Sequence, residues 1–211
     1  MLILRHTVGD FAAPGETLAD IKFARRASSS TAPDPEHLRG LIALGVERTL
    51  EQDPAFALRI LVDIAIKALS PAINDPTTAV QVLDYIETYL HRICAANLRD
   101  QYIVTDSQGA PRVIVPGRSW EDHVELAVTE IRDYGARSIQ VCRRLRALLE
   151  GVLAVAAADR RHTLQTQLSL LDESISKNFD NPASQALARV SDPQGIGAPT
   201  IETTRSFAPQ H

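Results

Sequence analysis

What the chain has little of sets the first limits on it. Cys94 and Cys142 are the only two cysteines, far apart and without a neighbouring histidine. That spacing excludes a disulfide framework and a thiolate zinc site, and both read as small buried hydrophobes in a reducing compartment. The histidines, at 6, 37, 91, 123, 162 and 211, form no H-x-x-x-H or other ligand pair, so no metal site is assigned. Basic excess is lacking too. A formal net charge of -4 and a pI near 5.9 argue against a nucleic-acid partner, which needs a clustered basic surface. Arg143, Arg144 and Arg146 form the dense basic run after Arg25 and Arg26 and read as a solvated helix face. No apolar run reaches the roughly 18 residues of a membrane span, and the start shows no basic region followed by an apolar core. As given, the chain is expected to be cytoplasmic. No cofactor motif is recognisable, and no cofactor is expected.

What is present is the content of an ordinary globular protein, 45% hydrophobic and 23% charged over 211 residues, enough for one sizeable core. The organising stretch runs from Asp53 to Ala79. From Phe56 to Leu69 the side chains are apolar apart from Arg59, Asp63 and Lys67, spaced four apart. A helix apolar on nearly all sides is normally surrounded by other elements, so this one is expected to be the buried central helix. Asp53-Pro54 starts it, and Pro71 ends it near Leu69 by disfavouring helical angles at Ser70. Asn74-Asp75-Pro76 restarts a helix whose apolar positions reach to about Leu98. The joint from Ser70 to Asn74, held between two helices, is expected to be partly buried, with Asp75 and Asn74 holding it closed.

The rest follows from punctuation and period. Gly9-Asp10 and Pro14-Gly15 break residues 1–23 into a small β meander. A strand at residue 1 needs partners, so the chain reads as the downstream part of something longer. The run G-D-F-x-x-P-G-E-x-L-A also looks like the turn region of biotinyl and lipoyl carrier barrels, but no hairpin-tip lysine accompanies it and no carrier function is assigned. Residues 24–33 read as a linker, and Asp34-Pro35 opens a helix that Gly45 ends. A β-hairpin is expected at 102–115 around Gly109. A helix starting at Trp120 and running to Ala156 would be roughly 55 Å long, which implies a kink near Gly135 or a projecting arm. Leu164, Leu168, Leu171, Ile175 and Phe179 mark its antiparallel return. Asn181-Pro182 starts a last short helix. The fold class is therefore mainly α with small β elements (α+β), a meander at 1–23, a helical domain at 34–190 and a disordered, dispensable tail at 191–211. The long hairpin is expected to expose apolar residues, Leu164 and Leu168 among them, and so to associate with further copies of the chain as a homo-oligomer.

The ordered string R-T-x-x-Q-D at Arg48 to Asp53, followed by A-L-S-P-x-x-N-D-P-x-T-A at Ala68 to Ala79, resembles the uncharacterised bacterial family of predicted membrane proteins called domain of unknown function 2254. The resemblance covers most of the chain. It implies a soluble part that follows transmembrane helices, on the cytoplasmic side of the inner membrane, and it supplies no mechanism. Membrane association is implied by the family alone.

The polar residues of this stretch admit several readings. Arg59, Asp63 and Lys67 form an i, i+4, i+8 ladder, which is either an ion-pair stripe or the polar floor of a pocket. Arg59 and Asp63 of that ladder, with Arg48, Asp53, Ser70, Asn74, Asp75, Thr77 and Thr78, make up the candidate binding set. Thr77 and Thr78 at a helix N-terminus suit an anion, although Asp75 already places a negative charge there. Asp53, Asp63 and Asp75 suit a divalent cation if they converge, which is the basis of an alternative reading as a metal-dependent enzyme. Ser70 directly before proline is first a helix stop, with no histidine close in sequence to act as its base. No catalytic residue is assigned. The reading is a non-catalytic sensory or assembly module.

Overall fold

The computed structural model describes residues 1–23 and 34–197. The expected linker at 24–33 and residues 198–211 of the expected tail lie outside the described residues. The chain forms two compact units, Met1–Arg59 with Ala96–His123, and Ile60–Ala95 with the chain from Val124 onward.

The first unit carries a four-stranded mixed sheet. Strand β1 (Leu2–Leu4) runs antiparallel to β2 (Ala19–Ile21). The hairpin expected at 102–115 is β3 (Gln101–Thr105) and β4 (Pro111–Pro116). Leu2 lies opposite Val113 in a parallel β1 to β4 pairing, giving the order β2-β1-β4-β3. Thus the meander and the hairpin share one sheet, and β1 finds both its partners within this chain. Asp106 shapes the hairpin turn, its carboxylate accepting from the amides of Gln108 and Ala110 at 2.9 Å and from Arg112 at 2.7 Å. Helix α1 (Pro35–Gly40) is capped by Asp34 but buries no residue. It stops at Gly40 instead of Gly45, because Leu41 and Leu44 face solvent and no packing extends it.

Two helices have stretches in both units, α2 (Pro54–Ala68) and α4 (Trp120–Gly135). The expectation that α2 is the buried centre is corrected. Its buried stripe is Ala55, Leu58, Val62, Ala65 and Ala68, while Ile60 and Ile64 are exposed, Ile64 to 44%. The charged positions at four-residue spacing fix a water side, and the isoleucines next to them share it.

The centre of the second unit is α5 (Ile139–Val155), with α3 (Pro76–Ile93), α6 (Arg161–Asn178) and α7 (Pro182–Ala188) packed around it. The long helix does break at Gly135. Ser138 then caps α5 by accepting from the Val141 amide, so one helix becomes two. A short 3-10 turn, Ala158–Arg160, leads into α6, which makes the expected antiparallel hairpin. Its apolar face is covered within the chain: Leu164, Leu171 and Ile175 are fully buried and Leu168 is half-buried. The face of α6 therefore does not expose the apolar surface expected of it, although Tyr134 and Val155 elsewhere in the hairpin are exposed. Helix α3 ends at Ile93, short of Leu98, where Arg160 donates to the Ile93 carbonyl at 2.9 Å and also to that of Cys94. A guanidinium on the last carbonyls satisfies groups that otherwise need another turn.

The basic run on α5 is also corrected. Arg143 is 1% exposed and Arg144 is buried as well. Helix α5 buries residues on nearly every side, Val141, Cys142, Leu145, Ala147, Leu148, Leu149 and Val152, so it leaves these arginines no face on water. Arg143 donates through Nε to the Val190 carbonyl at 3.1 Å and through Nη1 to the Gly197 carbonyl at 2.8 Å, with Asp192 3.7 Å from Nη2. The start of the expected tail is consequently packed. Asp192 is 3% exposed, and its carboxylate accepts from the amides of Gly195 at 3.1 Å and Gly197 at 2.8 Å. Gly195 has φ +67, and a Cβ there would lie 2.3 Å from Val80, so only glycine lets the segment lie this close.

Removing one partner of a buried charge pair is costly. Asp192→Ala is expected to cost about 3–5 kcal/mol of unfolding free energy, and ending the chain at Ser191 is expected to destabilise it similarly. In urea titrations followed by circular dichroism, Arg143→Met with Asp192→Asn should lose less than Asp192→Ala alone. Parent-like unfolding of Asp192→Ala would contradict this placement.

Candidate functional site

The A-L-S-P-x-x-N-D-P string forms the joint between α2 and α3, and its polar groups are engaged locally. The Ser70 hydroxyl donates to the Lys67 carbonyl at 2.7 Å, closing the last turn of α2. Asn74 has φ +49, the left-handed conformation that asparagine tolerates better than most residues. Its amide donates to the Ser70 carbonyl at 2.8 Å, and the Asp75 amide reaches back to Ala68 at 2.8 Å. Asp75 is the cap of α3: one carboxylate oxygen accepts from the Thr78 amide at 3.1 Å and the other from the Thr78 hydroxyl at 2.5 Å. These bonds, the hydroxyl's first, hold the Asp75 carboxyl below its ordinary range. Thr77 is exposed and Thr78 is half-buried. The expectation that the joint is partly buried is corrected for Pro71 to Asn74, which are exposed, while Leu69, Ser70 and Asp75 are half-buried. The turn closes through backbone amides and needs no cover.

The R-T-x-x-Q-D string belongs to the first unit. Asp53 opens α2, one carboxylate oxygen accepting from the Phe56 amide at 3.3 Å. The residue is 4% exposed, and its other carboxylate oxygen has no hydrogen-bond partner among the described residues. Gly9, with φ +87, lies against it so closely that a Cβ would sit 2.0 Å from that oxygen. The G-D-F turn and the R-T-x-x-Q-D string thus meet at one contact. The Arg48 guanidinium lies 5.7 Å from the centre of the Phe56 ring, a cation–π distance.

The ladder lies on the outer side of α2, with Arg59 half-buried and Asp63 and Lys67 exposed. Of the nine candidates, Arg48, Asp53 and Arg59 belong to the first unit and the other six to the second. Among the described residues, no three His, Cys, Asp or Glu side chains gather as metal ligands would. Asp53 and Asp75 both serve as helix starts.

Missing from that candidate set is the polar system of the second unit. Arg144 binds Asp84 at 2.8 Å and also Glu87, both on α3. Arg132 donates to Gln167 at 2.7 Å, and Arg146 and Arg189 both bind Asp172, Arg189 at 3.2 Å. The available signal was the run R-R-L-R-A-L-L, in which consecutive apolar residues leave a helix no solvated side. Cys142 lies in the same interior, where burial pushes its thiol up to about 12 and keeps it in the unreactive protonated form.

With this geometry in hand, comparison with known proteins gives a consistent result. The model of a family described as "Predicted membrane protein (DUF2254)" matches residues 1–151. Uncharacterized proteins of Mycobacterium bovis and of two Mycobacterium tuberculosis strains are each 34% identical over 187 residues, 85% of this chain and 35% of theirs. The chain thus spans about a third of the length of these relatives. No solved structure matches. Among the described residues no helix is long and apolar enough to cross a membrane.

A carboxyl held low in the folded state stabilises fully above its unfolded value and loses that contribution as pH falls through the folded one. Asp75→Asn is therefore expected to melt a few degrees below the parent at neutral pH. The gap should close as pH falls below 3.8, the ordinary value. A gap that stays constant across that range in thermal melts would show that the carboxylate does not act as the cap.

Proposed function

Because the chain belongs to the DUF2254 family of predicted membrane proteins, we propose that it is a non-catalytic module with a sensory or assembly role, held on the cytoplasmic side of a membrane. Assembly is the better supported of the two roles, with a second copy of the chain as the partner. The observation that carries this reading is how the residues of the family-like strings are used. Ser70, Asn74, Asp75 and Thr78 close a turn and cap a helix. Meanwhile Ile60, Ile64 and Ile73, within and beside the same stretch, are left exposed. A polar constellation occupied in holding its own backbone offers little to a substrate. Exposed isoleucines gain roughly 25 cal/mol for each Å² that a partner covers.

Light scattering on the purified chain tests this. The expected result is a mass above the monomer that rises with concentration. A strict monomer at high micromolar concentration would overturn it. A divalent-metal thermal shift abolished by Asp63→Asn or Asp75→Asn would favour the enzyme instead.

A further inference from the structure

We propose that the outer edge of β3 pairs antiparallel with β3 of a second copy, joining two four-stranded sheets into one across a two-fold axis at Ile103. The inference rests on the assembly reading and names the surface through which assembly occurs.

The first support is the direction of the backbone groups. In an antiparallel ladder, facing residues alternate between exchanging hydrogen bonds and not. The Gly117 amide donates to the Asp100 carbonyl at 2.8 Å, and the Asp106 amide donates to the Ala110 carbonyl at 3.0 Å. Positions 100 and 106 therefore point at β4, as do Tyr102 and Val104 between them. Gln101, Ile103 and Thr105 point their N–H and C=O groups away, out of the sheet. The register agrees, because Gln101 and Thr105 lie opposite Pro116 and Pro111, which have no N–H to offer. As β3 ends the strand order, these outward groups form an open edge among the described residues.

The second support is that this edge is unguarded and the other is not. Sheets usually protect their edges with short strands, charges or proline. The opposite edge, β2, has three residues and carries Asp20, bound by Arg5 at 2.5 Å. Strand β3 has five residues, no charge and no proline. Tyr102, Ile103 and Val104 are exposed, Ile103 to 52%, so apolar side chains stand uncovered on both faces.

The third support identifies the occupant. The strand reads Gln-Tyr-Ile-Val-Thr, polar at both ends, apolar within and symmetric in character about Ile103. Antiparallel pairing centred there sets Ile103 against Ile103, Tyr102 against Val104 and Gln101 against Thr105. Aromatic against β-branched is a favourable cross-strand pair, and every outward N–H finds an outward carbonyl. Beyond the strand, Asp100 of one copy falls opposite Asp106 of the other, a like-charge pair that Arg112, bound to Asp106 at 2.7 Å, offsets in part. Five residues span only about 17 Å, so this contact belongs with small, weak interfaces. Tethering two copies to one membrane would raise their effective concentration and strengthen it.

Single-cysteine variants read the register directly. Paired residues that exchange hydrogen bonds have Cα atoms about 5.5 Å apart, within disulfide reach, whereas the native Cys94 and Cys142 are buried. With oxidised glutathione as the oxidant, Ile103→Cys should cross-link to itself. Gln101→Cys and Thr105→Cys should cross-link to each other when mixed, and neither to itself. Ile103→Pro removes an outward N–H and no hydrogen bond to β4, so it should keep the parent's circular dichroism and weaken dimerisation more than tenfold. A chain that dimerises without these cross-links, or unaffected by Ile103→Pro, would overturn the strand pairing and leave assembly standing. A strict monomer that never cross-links would overturn both. Cross-linking of Gln101→Cys to itself would overturn the register, and binding of β3 to another protein or to vesicles in place of its own copy would overturn the choice of occupant.

Discussion

The second unit depends on a guanidinium that has no route to water. Burying an unpaired cation costs several kcal/mol even after the protein relaxes, so Arg143 at the centre of α5 dictates what surrounds it. Carbonyls of Val190 and Gly197 accept its protons and Asp192 supplies the opposing charge. These three groups lie on the segment that leaves α7, which explains why a stretch rich in glycine and proline is fixed against a helix. One turn of α5 also places Arg144 against Asp84 and Glu87 on α3. Two adjacent arginines therefore tie opposite neighbours to the same central helix.

The sequence carried much of this fold in its local signals. Asp-Pro and Asn-Pro starts mark α1, α2, α3 and α7, the Gly109 turn marks the hairpin and Gly135 marks the break between α4 and α5. Each is a backbone effect that acts within a few residues and needs no tertiary context. What was not legible was which helix is innermost. The apolar run of α2 and that of α5 look alike in composition; charges at four-residue spacing suggested a solvated stripe on the first, and the dense run Arg143, Arg144 and Arg146 a solvated face on the second. On α2 that stripe is indeed on the outside and carries two isoleucines with it. On α5 the arginines face inward, because their partners lie far off in sequence, at Asp84, Glu87 and Asp192. Long-range pairing of this kind leaves no periodic trace.

The candidate site was legible as a set of residues and less so as a set of roles. Asp75 and Ser70 act as the helix-end chemistry of their residue types suggests. Asn74 contributes through a left-handed backbone and its amide. Asp53 was readable as a helix start, but its contact with Gly9 joins two strings more than forty residues apart, and no spacing rule announces it. The polar residues of these strings thus set the local geometry of the chain.

The buried Arg143 organises the segment from Val190 to Gly197, and amide hydrogen exchange tests this most directly. The Gly195 and Gly197 amides, bound by the Asp192 carboxylate at 3.1 and 2.8 Å, should exchange slowly, and Arg143→Met should release them while the middle of α6 stays protected. Exchange of both amides at the rate of an unstructured chain in the parent protein would contradict the account.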